Sequence, residues 1–94
     1  MSKEILKSKI SDFYSEFKSF IESIDSNKEK SVLDKEIQVK YDSYRNPIDT
    51  LINNNFPENS DYSNYTSRAE YYRFVNDEFK KFYDAWENFI KSVD

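Results

Sequence analysis

The acid–base chemistry open to this chain rests on carboxylates, lysines and tyrosines, because its 94 residues include neither His nor Cys. Without His the commonest general base and the commonest metal ligand are missing. Without Cys there is no thiolate nucleophile and no disulfide framework. Gly is also absent, which removes the Gly-rich loops that cradle phosphates. Two carboxylate pairs, Asp77 with Glu78 and Asp84 with Glu87, have the residue types of a glycosidase acid and base. That chemistry needs a substrate cleft and one carboxyl of raised pKa. Nearly every carboxylate here falls instead on an expected solvent face, close to a Lys or Arg. Asp77 with Lys81, and Glu87 with Lys91, stand at i, i+4 in the order that supports a helix. The serines have no histidine to activate them. The expectation is a non-enzymatic protein with no catalytic residue, no cofactor and no committed metal site.

Two short patterns point elsewhere. From Asn59 to Glu70, oxygen side chains recur at Asn59, Asp61, Ser63, Ser67 and Glu70. The spacing resembles an EF-hand calcium loop over these twelve residues. Asn59 stands where that loop has Asp, and Asn64 where it has Gly. The resemblance implies a weak calcium-binding module. Further on, Tyr83-Asp84-Ala85-Trp86-Glu87 is similar to the Tyr-x-x-x-Asp/Glu tail signal of the small helical hairpins of the type VII (WXG100) secretion family. The Trp-x-Gly turn of that family has no counterpart in a chain without Gly. This resemblance implies a secretion-type or structural hairpin that works as a dimer through its aromatic seams.

A third pattern concerns binding. Six of the eight tyrosines, Tyr41, Tyr44, Tyr62, Tyr65, Tyr71 and Tyr72, fall within one stretch. Residues 46–67 carry Asp49, Glu58 and Asp61 and no Lys or Arg. Tyrosine is a favoured interface anchor, large and stiff with a hydrogen-bonding tip. An acidic Asn/Tyr-rich segment is the surface expected to meet a partner with a basic face. The expected partner-binding residues are Tyr62, Tyr65, Asp61, Glu58, Asp49, Tyr41 and Tyr44. Tyr41, Tyr44 and Tyr72 also fit a half-buried bundle position with the hydroxyl reaching water.

These residues must be positioned by helices. Leu6, Ile10, Phe13, Phe17, Phe20 and Ile24 step by 4 and 3 in turn, an a/d ladder widened by Ile5, Tyr14 and Ile21. Ser8, Ser11, Ser15, Ser19, Ser23 and Ser26 lie on the opposite side, and Asn27 is the expected stop. Ser31 to Asp34 approximates a capping box that opens a second helix lined by Leu33, Ile37, Tyr41 and Tyr44. Pro47 is expected to end or kink it, and Asn46-Pro47 to start a short helix with Ile48, Leu51 and Ile52. Residues 53–66 read as an acidic loop. Ser67 to Glu70 forms a second capping box ahead of the ladder Tyr72, Val75, Phe79, Phe82, Trp86, Phe89 and Val93.

The expected fold is all-α: a small antiparallel helical bundle of three long elements, with room for a short fourth helix after Pro47, in a single domain over residues 1–94. Eight Phe, eight Tyr and one Trp suit so short a chain, since each large ring buries roughly 150–250 Å². The net charge of −4 argues against direct nucleic-acid binding. Carboxylates that imitate phosphates toward a nucleic-acid-binding protein are a lesser variant. Apolar runs stay far below the roughly 20 residues of a membrane span, and the first residues lack a signal-peptide core. A cytoplasmic protein, monomer or homodimer, follows as the expectation. Asn, Lys, Ile, Tyr and Phe make up 44 of the 94 residues, the codon signature of an AT-rich genome, phage or mobile element. The functional expectation is an acidic helical protein that docks on and modulates a larger macromolecule. Phage inhibitors and bacteriocin immunity proteins are analogies of size and class.

Overall fold

A computed structural model describes residues 2–56 and 62–93, the side chains of residues 62–65 excepted. Among the described residues three helices make an all-α bundle: α1 (Lys3–Ser23), α2 (Lys30–Asn55) and α3 (Tyr62–Ser92). Lys3 at the start of α1 meets Glu70 near the start of α3, and Tyr14 meets Phe82, so these two helices run parallel. Asp34 meets Trp86 while Asn53 meets Tyr72, so α2 runs antiparallel to α3. Phe13 on Tyr44 and Phe17 on Tyr41 set the same sense against α1. Among the described residues no helix is long and apolar enough to cross a membrane.

Both ladders face the core. Leu6, Ile10 and Phe17 are fully buried, with Phe13, Phe20 and Ile24 half-buried at the margin. Val75, Phe79 and Phe82 are fully buried from α3, with Tyr72, Trp86 and Phe89 around them. Ile5 departs from the pattern and lies exposed. Each buried Leu, Ile or Phe contributes about 1.5–3 kcal/mol relative to exposure. The rings interlock: Phe17 lies 5.1 Å from Phe82, which lies 4.5 Å from Phe79.

The helix ends differ from their sequence readings. Ser2 caps α1, its Oγ accepting from Glu4 N–H at 3.1 Å. The helix stops at Ile24 rather than Asn27, because Asp25 Oδ1 takes the Asn27 N–H at 3.0 Å in a competing local turn. Glu29, not Ser31, is the N-cap of α2 and makes no side-chain cap bond. Asp34 is engaged by Trp86 instead.

The short fourth helix does not exist, for α2 runs unbroken through Pro47. A proline there lacks the N–H that would bond back to Ser43. Ser43 and Pro47 both face water, which can take the freed carbonyl. The buried row Leu33, Ile37, Tyr41, Tyr44, Ile48 and Ile52 continues in helical register across it, and that burial outweighs the local cost. The 53–66 loop is likewise shorter than expected. Residues 53–55 end α2, and residues 62–66 open α3. Their Asn, Ser and Tyr are weak helix formers, but past Pro57 neither Pro nor Gly interrupts the chain, so the α3 seam propagates back to Tyr62. Ser67 and Glu70 are thus interior helix residues, not a cap.

Candidate functional site

The waist residues separate into different environments. Tyr41 and Tyr44 are core residues, 4% and 6% exposed. Each packs on Phe17 and Phe82, which removes both from any surface a partner could touch. Burial, reinforced by hydrogen bonding with Tyr83, holds the Tyr41 hydroxyl well above the ordinary tyrosine range. Asp49 is partly exposed, and its Oδ1 accepts from Arg45 Nε at 2.9 Å. The same guanidinium donates to Asn76 Oδ1 at 2.6 Å and lies 5.0 Å from the Phe79 ring, a clamp between α2 and α3. Glu58 and Asp61 lie outside the described residues. Tyr62 and Tyr65 belong to the first turn of α3, their side chains outside the described ones.

The calcium-loop pattern spans residues 59–70, of which 59–61 lie outside the described residues. An EF-hand loop must wrap oxygens around one point, whereas residues 62–70 are helical. Glu70, which would close that loop, accepts from Lys3 Nζ at 2.9 Å. That contact holds its carboxyl below the usual carboxylate range. Among the described residues no cluster of three carboxylates could hold a metal ion. The glycosidase-type pairs sit on open helix surface. Asp77 pairs with Lys80 at 3.1 Å rather than with Lys81, whose ammonium lies 4.9 Å from the Tyr14 ring; Glu87 pairs with Lys91 at 3.0 Å as expected.

One exposed constellation joins Tyr83 and Trp86, named in the sequence only within the secretion-type pattern, to Asp34 of α2. Tyr83 is 50% exposed on α3 and stacks on Trp86, ring centroids 5.9 Å apart and planes 15° from parallel. Its other neighbour is Tyr41, at 4.9 Å. Trp86 Nε1–H donates to Asp34 Oδ1 at 2.8 Å across to α2, which fixes the indole. The two rings form a rigid ledge beside a recess of 420 Å³, lined also by Glu87, Ile90 and Lys91. With Glu87 and Lys91 compensating one another, Asp34 leaves the ledge locally negative. The Tyr83, Trp86 and Glu87 of the secretion-type pattern therefore sit inside α3, not in a tail. The signal available in the sequence was Tyr83 itself, an aromatic one step off the buried ladder Phe79, Phe82 and Trp86.

Comparison with protein-family models, with characterised proteins and with solved structures finds no match for the chain.

Proposed function

We propose that this chain is a non-enzymatic binding protein that docks on a larger protein partner and modulates it, with the Tyr83–Trp86 ledge as its anchor. The observation that carries the reading is the half-exposed Tyr83 ring, held flat on an indole that is itself tied to Asp34. Tyr and Trp dominate interface hot spots, and rings fixed before binding lose little entropy on docking. Asp34 and the net charge of −4 suit a partner surface that sets basic groups around an apolar pocket. The waist residues Tyr62, Tyr65, Glu58 and Asp61 are the second place where such a partner would dock. Along α3, Tyr62 and Tyr83 are about 30 Å apart at the helical rise, the width of a whole standard interface.

The test uses a photo-reactive benzoyl-phenylalanine at position 83, with position 8 on the serine face as control. One species captured from position 83 and not from position 8 is expected. Its affinity for the purified protein is then expected to fall at least about tenfold on Tyr83→Ala, a loss of about 1.4 kcal/mol. Helical circular dichroism stays unchanged. Equal capture from both positions overturns the reading. A loss confined to the Tyr62→Ala, Tyr65→Ala double variant moves the site to the waist.

A further inference from the structure

The α1/α2 side of the bundle is the open one. Helix α1 packs most extensively on α3 and least on α2. Between α1 and α2 runs a groove of 710 Å³, floored by Phe20 and walled by Val32, Lys35, Glu36 and Val39 of α2. Val39 is 63% exposed and Val32 43%, on one stripe of α2 two turns apart. Neither belongs to the core ladder, so folding of the single chain does not account for them. Scattered surface valines are ordinary. These two instead bracket an opposite-charge pair in an order that is its own complement: Val32, Lys35, Glu36, Val39.

We infer that this stripe is a self-complementary surface on which a second copy of the chain docks, α2 against α2 in antiparallel sense. A two-fold axis passing between Lys35 and Glu36 sets Val32 against the second copy's Val39, and Val39 against its Val32. The same axis sets Lys35 against the second copy's Glu36, twice over. An isologous contact demands this match of each position with its counterpart, and the stripe meets it in both hydropathy and charge. Glu36 already accepts from Lys28 at 2.8 Å, so in the pair it would stand between two ammonium groups. Phe20, half-buried under Lys40, borders the valines and extends the apolar centre. The same axis brings Asp42 opposite the second copy's Glu29 at the rim, where water and salt screen the repulsion. Two valines and one ring edge per copy make a contact below the standard size of about 800 Å² per partner, so the dimer is a weak one. It leaves the Tyr83–Trp86 ledge of α3 uncovered, and the two surfaces fail or succeed separately.

Sedimentation equilibrium of the full chain, between about 10 μM and about 1 mM, is the test. The mass is expected to rise from 11.4 kDa toward twice that value with concentration. Val39→Glu is expected to shift the midpoint at least about tenfold to higher concentration. Lys35→Glu, which sets like charges opposite one another, shifts it in the same direction. Adding Glu36→Lys to Lys35→Glu exchanges the two signs and is expected to restore the midpoint to within about threefold. Melting of each variant by circular dichroism confirms an intact fold. A constant monomer mass throughout overturns the inference. So does a dimer indifferent to Val39→Glu, or a double variant no better than Lys35→Glu alone.

Discussion

At the scale of single residues, the centre of the molecule is a cluster of interlocking rings. Phe17 touches Tyr41, Tyr44 and Phe82 and is fully buried. Phe17→Ala removes those contacts and leaves a cavity where α1 packs on both α2 and α3. The expected loss is about 3–5 kcal/mol, read from urea unfolding, which is a large part of the stability of a domain this small. Tyr41 gives a prediction of a different kind. Its hydroxyl is held above the tyrosine range by burial, while in the unfolded chain it ionises near pH 10. Between those two values the folded state keeps a proton that the unfolded state has released. The contribution is therefore full below about pH 10 and is lost as the pH rises beyond it. Stability should fall through that window, and less steeply in Tyr41→Phe. In a spectrophotometric titration of the native protein, one tyrosine should ionise only as the protein unfolds. Asn53 shows a polar residue with a second role beside the one its sequence suggests. It stands in the run of three asparagines that ends α2, and its Oδ1 also accepts from Tyr72 at 2.7 Å and from Arg68 at 2.9 Å, joining α2 to α3.

At the scale of elements, hydrophobic spacing was legible and punctuation was not. The ladders of α1 and α3 lie in the core because a period close to 3.5 names a helix and its inner face together. Helix ends rest on local bonds such as Asp25 to Asn27, which compete with the caps that composition suggests. Pro47 was the largest misreading. Ile48 and Ile52 follow Tyr44 at steps of four, and that continuity was the signal to weigh against the proline. The ledge stayed hidden because Asp34 and Trp86 are 52 residues apart, a pairing that only the antiparallel docking of α2 on α3 creates. The unbroken α2 makes a direct prediction. Pro47 is exposed, so Pro47→Ala restores a backbone donor without touching the core. Interior proline costs about 3 kcal/mol against alanine when nothing relaxes around it. Part of that cost is already relieved by solvent at Ser43, so a gain of about 1–2 kcal/mol and a higher melting temperature are expected. A melting temperature that falls would mean that the proline shapes α2 in a way the bundle needs.

At the scale of the whole molecule, the arrangement decides between a bundle and a hairpin. A hairpin of the secretion type would place its stability in two helices. Here α1 and α3 lie parallel and share the most extensive seam, while α2 crosses back between them in sequence and covers the third side. Leu6, Ile10, Phe17 and Ile21 all enter the common core from α1. Removing them uncovers Phe82 from one side and Tyr44 from another, and both rings then face water. Two helices with that much apolar surface exposed cannot offset the conformational entropy of ordering them. A fragment of residues 28–94 is thus expected to lose most of its helical circular dichroism and to show no cooperative thermal transition. Mixing it with a peptide of residues 1–27 is expected to restore both, since the α1 face supplies what is missing and the break falls in the turn between α1 and α2. A fragment that melts cooperatively as a monomer would place the stability in the α2–α3 hairpin and make α1 an accessory rather than a third of the core.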